Sequence, residues 1–402
     1  MHFKERMLNA IAGKPSDQIP WVPRLDLWYK ANARAGTLPA KYAKASLPEI
    51  LADLNWGHHA VIPDFKDLRS PADEADRGLG QYNLQSMPHR TIFDDVRRTV
   101  TIAGDRTDVE YACPAGTLHT AFVYDDAMRK AGVTITHIAE PAIKSVADVE
   151  VAGWLFEHAR VEPNYDGYRR FADRIGTSGL AVAYVDGSAS PMHLIQKELM
   201  LCEPFFYALN DEPAKMTRLA EQIGVYWQRV MDVVVNCPAE VVFVGANFDS
   251  RITSPPFFRK YITPWLKRYA ERLHRAGKYL LTHTDGENRG LLPHYLEAQF
   301  DIADSICPAP MTQLSFGEVR QAFGDRITIM GGIPSVALLK EAMTDREFDV
   351  FLDQFFRQIG TGERLILGIS DTTPPAADFE RLRKVADRIR AFGPVRASRP
   401  RD

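Results

Sequence analysis

A series of eight short apolar runs, rich in β-branched residues, is what most constrains the folding of this 402-residue chain. They are residues 19–27 (IPWVPRLDL), 60–65 (AVIPDF), 180–187 (LAVAYVDG), 241–249 (VVFVGANFD), 278–285 (KYLLTHTD), 301–307 (DIADSIC), 327–333 (ITIMGGI) and 364–371 (RLILGISD). Each is nearly continuously hydrophobic, as strands of a parallel sheet buried on both faces should be. Segments with helical spacing lie between them, among them 255–277, 312–324, 335–360 and 378–393, each closing on a glycine. This alternation predicts an α/β fold, a (β/α)8 TIM barrel forming one domain over residues 1–402. The long gap between the second and third runs interrupts the rhythm. Inside it, residues 97–126 read as two or three antiparallel strands with turns at 103–105 and 114–116. Residues 66–160 are therefore expected to form a β-rich insertion covering the barrel mouth. The polar, proline-bearing stretch 394–402 is expected to fray.

Composition narrows the function classes. A net charge of −3 with 25% charged residues gives no basic face for nucleic acid or anionic lipid. No run reaches the ~18 apolar residues of a membrane span, and the charged N-terminus lacks a signal-like apolar core. Four cysteines (Cys113, Cys202, Cys237, Cys307) are scattered without a CxxC pair. That spacing argues against a disulfide scaffold or zinc ribbon and fits a reducing compartment, so a cytoplasmic location is expected.

In barrels of this kind chemistry gathers at the C-terminal ends of the strands. Here those ends carry Arg24 and Asp26, Asp64, Tyr184 and Asp186, then Asn247 and Asp249, His283 and Asp285, Cys307, and finally Asp371. Any one Asp or Asn in such a place is as readily a helix cap or turn former. The convergence of several acids on one histidine is less easily assigned to capping. His283 and Asp285 stand two apart at a strand end and should face one way. A zinc site is one reading, with His283 and Asp285 as ligands and Asp371 or Cys307 as the third. The other is an acid/base histidine paired with Asp285 or substrate. His193, near Gly187, is a candidate for substrate contact, and Trp28 for an apolar substrate wall. His58 and His59 read as exposed or capping residues.

Taken together, these segments resemble the uroporphyrinogen decarboxylase superfamily. The start KERMLNAIAGKPSDQIP, the segment NFDSRITSPPFFRKYITPWLKRY, the segment HTDGENRGLLPHYLEAQFD and the closing RLILGISDTTPPAADFERL carry the resemblance. It is closer to the corrinoid-linked, zinc-dependent methyltransferases than to the decarboxylase itself. The resemblance implies a methyl transfer from a small methoxy or methylamine donor to a corrinoid on a separate protein. Zinc in that branch is commonly held by a His-x-Cys pair and a later Cys. By position His283 matches the histidine, Asp285 replaces the first cysteine and Asp371 falls near the last. In the same reading Asp249, Asn247 and Asp64 are catalytic or orienting residues, and Arg24, Asp26, Trp28, Tyr184, Asp186 and His193 line the substrate pocket. Homodimers are common in the superfamily. The decarboxylase branch implies an arginine-rich segment after the first strand, of which PRLDLWYKANARAG keeps Arg24 and a loose echo in Arg34. A metal-independent decarboxylase or lyase acting on a carboxylated molecule is the second expectation, and a non-catalytic ligand-binding barrel the third.

Overall fold

The structure is a computed structural model and describes residues 1–396. Twelve strands are numbered in chain order: β1 (His89–Ile92), β2 (Arg97–Ala103), β3 (Arg106–Cys113), β4 (Gly116–Val123), β5 (His137–Glu140), β6 (Arg160–Pro163), β7 (Ala183–Asp186), β8 (Val241–Ala246), β9 (Tyr279–His283), β10 (Ile302–Ile306), β11 (Thr328–Pro334) and β12 (Leu365–Ser370). Strands β7 to β12 form one parallel sheet in sequence order. Nearly every residue in these six strands is buried. That is why their sequences read as unbroken apolar runs. Helices follow the strands, as in Thr263–Arg275, Phe316–Phe323, Asp345–Gln358 and Phe379–Phe392.

The first two expected strands form no ladder. Pro20, Pro23 and Pro63 remove backbone donors within those runs, which limits pairing to isolated bridges. Val22 N–H donates to Leu367 of β12 at 2.8 Å, and Leu367 N–H donates to Pro20 at 2.9 Å. Gly57 N–H donates to Trp21, His58 N–H to Ser178, and Val182 N–H to Ala60. Residues 20–22 and 57–60 thus connect the β12 edge of the sheet to the β7 edge. The first run also stops early, because a helix begins at Asp26 and continues to Ala35.

The region between them is rich in strands. β2 to β5 form a four-stranded antiparallel sheet, with Ala103 opposite Arg106 and Cys113 opposite Gly116, so both expected turns are in place. β1 and β6 form a separate antiparallel pair. At the C-terminus, Val395 pairs with Ser16, and residues 397–402 of the expected tail lie outside the described residues.

Candidate active site

His283 is the last residue of β9 and stands beside Asp304 of β10 in the sheet register. Paired positions on neighbouring strands direct their side chains to one face, so the two meet: His283 Nδ1 to Asp304 Oδ2 is 2.6 Å. This bond aims Nε2 at the loops beyond the strands. There it lies 3.2 Å from Asp371 Oδ1, directly after β12, and 3.6 Å from Asp285 Oδ1. One ligand atom from each of His283, Asp285 and Asp371 fits within 4.8 Å of the others. Asp285 Oδ1 is buried and has no hydrogen-bond partner among the described residues.

Asp371 Oδ1 also accepts bonds from Arg24 Nη1 at 2.6 Å and from Ser305 Oγ at 3.1 Å. Ser305 gets there through a register shift after Asp304, where its φ is +60°. Asp371 Oδ2 has no partner among the described residues.

Charge in the cluster is set by neighbours more than by burial. Burial disfavours a charged His283, but Asp285, Asp371 and the Asp304 bond outweigh it and lift its pKa to about 10. Burial opposes ionisation of Asp371 too, yet Arg24 and His283 hold it well below the usual carboxylate range. Asp304 shows the same balance, kept ionised against its burial by the bond from His283 and the nearby His59. Burial pushes Asp285 up, partly offset by His283.

The other sequence-derived candidates divide. A cavity of about 750 Å³ opens onto His283 and Asp371 and is lined by Arg24, Tyr184, His193, Asn247 and Asp249, with residues 128–141 forming part of its wall. Asp249 turns its carboxylate to loop amides of Arg251 and Glu287, as a turn-forming Asp does. Asp26 and Asp64 line an adjoining cleft of about 220 Å³ that shares Arg24 and Asp371. Asp64 there pairs with Lys30 at 2.7 Å.

Three residues depart from expectation. Asp186 does not line the large cavity. A register shift between Tyr184 and Asp186 breaks the two-residue alternation and turns Asp186 toward a small enclosed void beside His89 and Tyr226. Trp28 is core, stacked on Phe379 with ring centroids 5.3 Å apart, because the helix from Asp26 carries it away from the mouth. Cys307 does not join the metal-ligating group; its buried Sγ donates to Ser305 O, and burial pushes the thiol up to about 12.

Sequence reading missed Asp304 and His59. His59, expected at the surface, is buried with Nε2 3.7 Å from Asp304 Oδ1, since residues 57–60 run inward along Ser178–Val182. The available signal was Asp304 itself, an acid inside the buried run IADSI, which needs a partner. Arg77, Lys197 and Glu198 were also missed. In DEADRGL and IQKEL they look like solvated faces, yet all three line the large cavity.

No helix among the described residues is long and apolar enough to cross a membrane. A model of the uroporphyrinogen decarboxylase (URO-D) family matches residues 130–392. No curated protein sequence matches the chain. Among solved structures, a methyltransferase from Methanosarcina mazei shares the fold with a TM-score of 0.54, covering 98% of this chain and 99% of that chain at 11% identity.

Proposed function

Because the chain belongs to the uroporphyrinogen decarboxylase family, we propose that it is a methyltransferase moving a methyl group from a small methylated donor to a corrinoid on a partner protein. The observation that carries this reading is the cluster of His283, Asp285 and Asp371, of which His283 and Asp371 line the large cavity. One nitrogen and two carboxylates suit zinc with an open position for substrate. The unpartnered Asp285 Oδ1, the free Asp371 Oδ2 and the carboxylate behind the histidine all fit a metal centre. Bound there, zinc would draw charge from the donor heteroatom as the methyl departs. Asp371, rather than Cys307, is the third ligand.

The chain's own residues have distinct tasks in this scheme. Asp304 fixes the His283 ring and keeps Nε2 available. Arg24 and Ser305 hold one Asp371 oxygen, which leaves the other for the ion. Asn247 and Tyr184 bound the cavity beside the cluster and orient the donor. We read the six paired strands and the 20–22 and 57–60 segments as a (β/α)8 barrel, with the antiparallel sheet and residues 128–141 as the rim on which the corrinoid protein docks.

Elemental analysis of the purified protein beside His283→Ala tests the assignment. About one zinc per chain is expected, lost in the variant together with methyl transfer. Full transfer by His283→Ala would falsify it. A second reading rests on the completed ion-pair chain Arg24–Asp371–His283, which needs no metal to be satisfied. It is a metal-independent lyase in which His283 serves as the acid, and it predicts full activity in chelator without any corrinoid.

A further inference from the structure

One wall of the large cavity presents hydrogen-bond donors that no described residue accepts. Arg77 gives Nη1 to Glu198 and Nε to Thr136 O, and Nη2 has no partner among the described residues. Lys197 Nζ donates to Gly187 O at 2.8 Å, and it lies 3.7 Å from Glu198. His193 accepts the Ala189 N–H at Nδ1, so Nε2 carries the ring proton and has no partner among the described residues. The hydroxyls of Tyr82 and Tyr184 are likewise free of partners there. All five residues line the same cavity.

The wall is a built feature. Lys197 sits on a π-helical turn, Ile195–Leu199, a distortion that recurs at functional sites. Gly187 is the residue that lets it close, since a Cβ there would meet Tyr184 Oη at 3.0 Å and Lys197 Nζ at 3.1 Å. Two cations face one carboxylate, Glu198, which Arg77 and Lys197 keep ionised against its burial. Asp186 is not on this wall and faces the separate enclosed void beside His89 and Tyr226. On this wall two cations therefore share one carboxylate. Beside it Phe65, Tyr82, Tyr184 and Phe243 form one connected group of rings, with centroids 4.9 to 6.3 Å apart.

We propose that this wall is a subsite for the carboxylate of a flat aromatic substrate, whose methylated heteroatom is presented to His283, Asp285 and Asp371. Donors without acceptors select an acceptor-rich anion, and the ring cluster selects a planar apolar body. The reacting end rests on the methyl-transfer reading; the carboxylate subsite does not.

The test is calorimetric binding of 4-methoxybenzoate and of its neutral counterpart 4-methoxybenzamide to the full-length protein. The benzoate should bind at least about tenfold tighter. Lys197→Met should erase that preference while leaving the benzamide affinity in place, and Lys197→Arg should restore it. Melting curves identify a variant that has lost its fold, in which case the uncharged, polar Lys197→Gln is read in place of Lys197→Met with the same expected loss of preference. Equal binding of the two probes, or no heat from the benzoate at millimolar concentration, overturns the proposal. So does a preference that survives Lys197→Met and vanishes in His283→Ala, because the carboxylate would then sit on the metal-ligating cluster. Binding is read without turnover. A benzoate that binds as expected but yields no methyl to any corrinoid protein would instead sink the methyl-transfer reading.

Discussion

Asp304 touches no cavity space, yet it decides which His283 nitrogen faces the site. Asp304→Asn keeps the size and removes the charge behind the ring. Zinc affinity is expected to fall about 10- to 100-fold, read by competition with a chromophoric chelator; undiminished affinity would show that Asp304 is packing alone. Asp186 offers a pH test. Its folded pKa is raised from 3.8 to about 7 by burial, so the folded state holds a proton that the unfolded chain has lost. The Asp186 contribution to stability should therefore decline as pH rises from about 4 to about 7. In Asp186→Asn the Ser188 N–H keeps an acceptor and that contribution should disappear. The melting temperature of the variant relative to wild type should climb across that window, and a constant difference would show that Asp186 titrates normally. At this scale the sequence revealed the strand-end residues His283, Asp285 and Asp371, because they follow directly on recognisable strands. It hid Lys197 and Arg77, because nothing local distinguishes a charge facing a cavity from one facing bulk water.

Elements were legible where their hydrophobic period was uninterrupted. β7 to β12 were each anticipated because strands buried on both faces leave continuous apolar runs. The first two runs carried the same composition but could not form ladders around Pro20, Pro23 and Pro63. A register shift caused the departure at Asp186, since a single extra residue reverses the inward-outward assignment beyond it. The helix Asp26–Ala35 supplies the corresponding prediction. Trp28→Ala should cost about 3–5 kcal/mol in denaturant unfolding through the lost Phe379 stack. Probe binding in the cavity should stay unchanged, and weakened binding at full folding would return Trp28 to the substrate wall.

For the whole molecule, the zinc reading has a consequence for stability. The three ligands come from the ends of β9 and β12, which are separated by the rest of the sheet's second half in sequence. An ion that binds only this folded arrangement adds to its stability by mass action. Zinc at about 100 times its dissociation constant should add about 2.7 kcal/mol. The gain should be absent in His283→Ala, and an equal gain in both proteins would place the ion elsewhere.

The bond between Arg24 and Asp371 joins residues 347 positions apart, and Leu367 holds the segment at Pro20–Val22. During synthesis the first of these residues emerges early and waits for the last. A chain still on the ribosome, or cut short before residue 371, has His283 and Asp285 but neither the third carboxylate nor the strand that anchors its own beginning. On the zinc reading, the three-ligand site can therefore assemble only after residue 371 has been made, and a shorter nascent fragment lacks this geometry.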